Sequence, residues 1–221
     1  ADALLGDGDY AAAYRRYGRA FPNAGYGGSF YRWLLSDAAG PYGSWGNGAA
    51  MRVSPVGFAM DEAGAVLEEA ARSAAVTHDH PEGIEGAQAT ALAVFLARTG
   101  EDKEALRAEI EERFGYDLSR RLDAIRAGYR FDVSCQGSVP ESLISFLESN
   151  DFEGAVRNAV SLGGDADTMA CIAGGIAHAF YGGVPSSIAV KVLARLPDYL
   201  REVVDRFECR YGLVRTASGR P

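Results

Sequence analysis

Three short stretches of this 221-residue chain carry side chains whose types and spacing could do chemistry. In Gly163-Gly164-Asp165-Ala166-Asp167-Thr168, two carboxylates and a hydroxyl crowd the start of an apolar helical run. Such hard oxygen donors suit Mg²⁺. A charged cluster that opens a buried helix is costly unless a cation or a partner offsets it. Simple N-capping is the alternative, although a cap needs one acid rather than two. The second stretch runs from Tyr42 to Arg52 and contains Gly43, Gly46 and Gly48. Glycines permit a tight path that brings backbone N–H groups to a ligand. Tyr42 and Trp45 could stack on a base, and Arg52 could meet a phosphate or fix the loop through a carboxylate. A loop with one anchoring Trp is the plainer alternative. The third stretch is Thr77-His78-Asp79-His80-Pro81, with two of the three histidines just ahead of a helix N-terminus, where anions are favoured. His-x-His can bind a transition metal. No further His or Cys ligand accompanies it, so a polar helix start is the plainer reading.

The elements that must position these residues read as helices. Tyr10, Ala13, Tyr14 and Tyr17 form one stripe, and a longer run over residues 61–76 buries Ala63, Val66, Leu67 and Ala70. Pro81 opens a strongly apolar helix that Gly100 closes. Residues 102–114 repeat Leu106, Ile110 and Phe114 every four positions. Residues 138–147, 151–162, 165–181, 185–196 and 197–211 are further candidates. Ala173, Gly174, Gly175 and Ala177 would let the helix after Asp165 touch its neighbours closely, so it should be central. Strand alternation is confined to pieces such as residues 129–133. The expectation is one all-α globule of about ten helices over residues 1–214, with a frayed tail at 215–221.

Composition narrows the function classes. Hydrophobic residues make up 48% and charged residues 24%, as in a globular domain. The formal charge of −8 disfavours a binder of nucleic-acid backbones, which needs a clustered cationic face. No apolar run is long enough to span a bilayer, and no signal peptide opens the sequence. Cys135, Cys171 and Cys209 are odd in number and far apart, which fits buried thiols in a reducing, cytoplasmic setting.

Taken in series, the three stretches resemble the ADP-ribosylglycohydrolase family, which includes the dinitrogenase reductase-activating glycohydrolase. Residues 163–168 resemble the C-terminal metal motif of the family, and Ser44 to Arg52 look like its Gly-Asn-Gly substrate loop with a Met-Arg tail. Thr77-His78 falls where the family places a His beside the adenosine, and Ser138-Val139-Pro140 matches the start of a late family helix. The likeness runs in family order from about residue 9 to 207.

The resemblance implies an all-α fold and hydrolysis at C1″ of an ADP-ribosyl group, of N- or O-glycosidic linkage. It implies two Mg²⁺ ions, or Mn²⁺ in some members. Carried over, Asp165, Asp167 and Thr168 would be metal ligands, with Asp165 and Asp167 also the catalytic acids. Ser44, Trp45, Gly46, Asn47 and Gly48 would hold the diphosphate and adenosine, with Trp45 stacking near the adenine and His78 lining the same pocket. ADP-ribose or an ADP-ribosylated protein would be the partner. The family also carries an N-terminal Thr-Asp-Asp-Thr metal motif, which occurs nowhere in this chain. The chain therefore reads as a member lacking about forty residues, one to two helices, at its start. Weak Mg²⁺ binding, little activity alone and self-association through uncovered apolar surface are the matching expectations. An ADP-ribose-binding or catalytically impaired member is the second reading, and a metal-free helical scaffold, with Asp165 and Asp167 as mere caps, is another.

Overall fold

The structure is a computed structural model that describes residues 1–213. The boundary at residue 214 and the expected tail at 215–221 lie outside the described residues. Fourteen helices form among the described residues: α1 (Asp2–Leu5), α2 (Tyr10–Ala20), α3 (Gly28–Leu34), α4 (Gly48–Met51), α5 (Ser54–Ala59), α6 (Ala63–Ala75), α7 (Pro81–Thr99), α8 (Lys103–Phe114), α9 (Leu122–Gly128), α10 (Cys135–Leu147), α11 (Phe152–Leu162), α12 (Ala166–Phe180), α13 (Ser186–Leu193) and α14 (Asp198–Arg210). The all-α expectation holds.

The centre is α7. Alanines, leucine, valine and phenylalanine surround its axis, and a helix apolar on every side must be buried on every side. It packs against α4, α5, α6, α8, α10 and α12. The approach to α5 is close enough that a Cβ on Gly57 would lie 2.5 Å from the Ala91 carbonyl oxygen. The second central helix is α12, packed on α10, α11, α7, α4 and α5. Its small residues permit this, as the sequence suggests: a Cβ on Gly175 would stand 3.0 Å from Ser54 Oγ.

Local chemistry sets the boundaries. The side chains of Asp9, Asp102, Ser134 and Asp151 each accept an N–H from the first turn of α2, α8, α10 and α11. Gly100 ends α7 in the left-handed region at φ 100°, which costs a glycine little. Lys103 closes the far end of α10 by donating to the carbonyls of Phe146, Leu147 and Ser149.

Three expectations need correction. The helix read from Ser138 begins at Cys135, because Ser134 is the cap and Pro140 sits inside the helix rather than at its start. Residues 129–133 form no strand; the described residues contain one isolated antiparallel bridge, between Gly46 and Ser134. The stretch from Tyr42 to Arg52 is not all loop, since its second half winds into α4. No helix of the described residues is long and apolar enough to cross a membrane. α13 buries none of its residues and exposes Val190 and Val192.

Candidate ADP-ribose site

The starts of α10 and α12 and one loop converge on the acidic cluster. Asp165 occupies the N-cap position of α12, but its side chain makes no capping hydrogen bond. Its Oδ2 instead accepts from Asn47 Nδ2 at 2.7 Å. The same nitrogen donates to Ser138 Oγ at 3.1 Å, so one amide ties the glycine loop to the starts of α10 and α12. Asn47 is 5% exposed and faces the interior. Its role is to hold Asp165 rather than to offer its amide to solvent.

Asp167 lies on the exposed side of the first turn of α12, and its Oδ1 accepts the N–H of Thr168 at 3.0 Å. Thr168 is buried and sends its hydroxyl toward Met51 Sδ, 3.8 Å away. Asp165 Oδ1 and Asp167 Oδ2 have no hydrogen-bond partner among the described residues. The positive end of α12 favours both charges. Pure capping is therefore a poor account of Asp165.

The acidic loop is propped from below. Gly164 adopts φ +64°, and a Cβ there would lie 2.8 Å from Tyr129 Cε1. The Tyr129 hydroxyl donates to the Gly137 carbonyl at 2.9 Å. Burial holds this phenol above its ordinary pKa, and the charges of Glu141, Asp132 and Asp165 add to the effect. It stays neutral and serves as a strut.

The glycine loop is pinned in the middle and free at its tip. Asn47 N donates to the Val133 carbonyl at 2.8 Å, and Cys135 N donates to the Trp45 carbonyl at 2.9 Å. The Gly46 N–H is used by Ser44 Oγ and the Gly43 N–H by Asp79 Oδ1. The N–H groups of Ser44, Trp45 and Gly48 have no hydrogen-bond partner among the described residues. Trp45 is 54% exposed and meets His80 edge-on, with ring centres 5.6 Å apart. Cys135 is no nucleophile: burial, aided by Glu82, pushes its thiol up to about 12.

The two histidines part company. His80 Nδ1 accepts the Glu82 N–H at the start of α7, so it is a helix cap. His78 is buried behind the glycine loop, and its Nδ1 faces Thr77 Oγ1 at 2.7 Å. No cluster of three His, Cys, Asp or Glu side chains able to hold a metal forms among the described residues. His78 Nδ1 and His80 Nδ1 are engaged by Thr77 and the Glu82 N–H, so the His-x-His pair does not converge on one point. Two concavities, of about 320 and 430 Å³, lie elsewhere and touch none of Ser44 to Gly48 or Asp165 to Thr168.

Burial, followed by the nearby Arg52 charge, lowers the pKa of His78 to about 3. A histidine depressed in the folded state binds its proton more readily when unfolded. Its neutral form costs nothing above the unfolded pKa of about 6.5, and stability is lost as pH falls from there toward 3. The expected slope from this group approaches about 1.4 kcal/mol per pH unit below pH ~6. Urea unfolding of the parent and of His78→Gln between pH 7 and pH 5 measures it. Parallel pH profiles for the two proteins would refute the assignment.

An all-α protein with an acidic helix start hydrogen-bonded to a glycine loop, and a buried histidine behind that loop, has the layout expected of an ADP-ribosyl-processing protein. Comparison with known proteins identifies the family. The ADP-ribosylglycohydrolase family model matches residues 1–217, and the chain belongs to that family. It is 30% identical over 185 residues to ADP-ribosylhydrolase ARH3 of Gallus gallus, covering 63% of this chain and 50% of that protein. It is 32% identical over 159 residues to ADP-ribosylarginine hydrolase Tri1 of Pseudomonas putida, covering 66% of this chain and 42% of that protein. A solved structure titled ADP-ribosylglycohydrolase-related protein complex superposes with a TM-score of 0.71 at 28% identity, covering 96% of this chain and 76% of that one. The chain spans about half the length of the two hydrolases it matches.

Sequence reasoning singled out Asp165, Asp167, Thr168 and the loop, and did not foresee the Asn47 link between loop and helix start. Asn47 and Asp165 are 118 positions apart, and no local pattern signals such a pair. Tyr129 also escaped notice, since it was read as part of a short strand.

Proposed function

We propose that this chain carries the ADP-ribose-binding part of a metal-dependent hydrolase that releases ADP-ribosyl groups by cleavage at C1″. The Asn47–Asp165 hydrogen bond carries this reading, because it joins the glycine loop to the acidic helix start. Asp165, Asp167 and Thr168 would hold a divalent cation, Mg²⁺ or Mn²⁺. The partnerless Asp165 Oδ1 and Asp167 Oδ2 are the hard oxygens such an ion takes. When bound there, the ion supplies charge stabilisation at the sugar hydroxyls and at an attacking water.

The rest is done by the chain. Asn47 keeps Asp165 turned outward, and the tip of the loop offers N–H groups suited to a diphosphate. Trp45 presents an open aromatic face for a base. Orientation of this kind is worth much of a glycosyl-transfer barrier. Two carboxylates and one hydroxyl fill only part of one ion's six positions, so Mg²⁺ binding by the chain alone is expected to be weaker than about micromolar. Two tight sites in a calorimetric titration would contradict that count.

The test uses an ADP-ribosylated protein, Mg²⁺ and the purified chain, with released ADP-ribose measured by chromatography and ADP-ribose binding by calorimetry. Release supports hydrolysis. Binding without release supports the second reading, an ADP-ribose-binding member. Neither binding nor release rejects both. Trp45→Ala is expected to weaken ADP-ribose binding by about 1–3 kcal/mol while leaving thermal stability unchanged, since the indole is mostly exposed. Unaltered affinity would place the base elsewhere.

A further inference from the structure

Arg52 lies in the C-cap position of α4, and none of the ion pairs among the described residues involves it. Its guanidinium stacks over the Tyr14 ring, 4.1 Å from the centroid, and its Nε is buried without a partner. Its NH2 donates to Thr77 Oγ1 at 2.7 Å and lies 3.4 Å from His78 Nδ1. A cation held this way by neutral groups is not a salt-bridge strut. Its place makes sense through what it does to the histidine.

The hydrogens can be counted. A guanidinium only donates, so Thr77 Oγ1 must accept from it. The single hydroxyl hydrogen of Thr77 has two acceptors within reach, His78 Nδ1 at 2.7 Å and the Tyr42 hydroxyl, with which Thr77 also pairs. Arg52 NH2, which only donates, also faces Nδ1 at 3.4 Å, and a hydrogen on Nδ1 would set donor against donor, so Nδ1 is the accepting nitrogen. The neutral ring must bear its hydrogen on Nε2. That nitrogen has no hydrogen-bond partner among the described residues, and it lies against the glycine loop: a Cβ on Gly46 would sit 3.5 Å from it, and a Cβ on Gly48 3.3 Å. Tyr42 closes the other side, with its ring centre 6.0 Å from that of His78.

We propose that Arg52 and Thr77 are positioning residues that lock His78 as the Nε2–H tautomer, giving the glycine loop one fixed donor for an oxygen of the bound nucleotide. The inference rests on the functional reading only for its ligand; the tautomer lock is a property of the free protein. Burial, followed by the Arg52 charge, disfavours the imidazolium, so the donor persists in mildly acidic solution.

The experiment is a long-range proton–nitrogen correlation spectrum of the full chain with ¹⁵N-labelled histidine, without ligand and then with ADP-ribose. The expected spectrum shows His78 with a bare Nδ1 and a protonated Nε2 across about pH 5–8. Thr77→Val keeps the shape but removes the hydroxyl, and is expected to mix the tautomers and weaken ADP-ribose binding about five- to tenfold. Thr77→Ser is expected to restore both. A protonated Nδ1 in the parent, or an unchanged tautomer in Thr77→Val, overturns the proposal. A parent that shows the lock yet binds no ADP-ribose refutes the functional reading and leaves the lock established. Arg52→Lys keeps the charge but not the fork, and a partial loss of the Nε2–H form is the expected result.

Discussion

Asp165→Ala is expected to reduce Mg²⁺-dependent release of ADP-ribose by at least about 100-fold, and to remove detectable Mg²⁺ binding by the chain itself. Loss of groups that merely orient a metal ligand already costs 10–100-fold, roughly, and Asp165 is proposed as a ligand. The change also leaves Asn47 Nδ2 with Ser138 as its remaining acceptor, at a cost of about 1 kcal/mol. Asp165→Asn separates the two effects. An amide oxygen can still accept from Asn47, so the fold should be kept, but the charge that holds a divalent ion is gone. Chromatography of released ADP-ribose and calorimetry with MgCl₂ are the readouts. If Asp165→Ala retains activity within about tenfold of the parent, the proposed metal role is wrong.

The largest stability effect is expected at Phe146. This ring is fully buried in α10 and meets Phe180 edge-on with centroids 5.3 Å apart. Lys103 Nζ stands 4.9 Å from its centroid while capping the end of the same helix. Phe146→Ala removes the buried ring, leaves a cavity and strips an aromatic partner from a partly buried ammonium. The combined cost is about 3–5 kcal/mol, a fall in Tm of about 10 °C for a chain of this size. Phe146→Leu should lose less than half of that. Urea unfolding followed by circular dichroism would decide it, and a loss under about 1 kcal/mol would show that neighbouring helices refill the space.

The fold was legible where signals were long and local. Apolar periodicity with Pro81 in front and Gly100 behind locates α7 almost to the residue, and Asp102 and Asp151 mark the starts of α8 and α11. The helices that escaped, α1, α4, α5 and α9, have four to seven residues. Such a segment completes barely one or two turns, so no period can be read from it. Pro140 misled for a different reason. A proline usually marks a helix start, but here Ser134 caps the chain six residues earlier and the helix tolerates the missing N–H.

The candidate site divides along the same line. Its acids and glycines announce themselves by composition. The side chains that connect them do not: Asn47 reaches Ser138 across 91 positions, and Arg52 reaches Thr77 across 25. Arg52 was noticed for its charge and expected to meet a phosphate or a carboxylate. It meets a hydroxyl, an imidazole and a tyrosine ring instead.

The single Asn47 amide that clasps Ser138 and Asp165 has a practical result for screening. Because its three anchor points come from remote parts of the chain, this arrangement exists only in the folded protein, and a compound gripping it must raise the melting temperature. At a free concentration a hundredfold above its dissociation constant, that gain is about 2.7 kcal/mol. A dye-based melt run across a panel of nucleotides and salts would therefore rank ligands for this protein before any turnover assay is in hand.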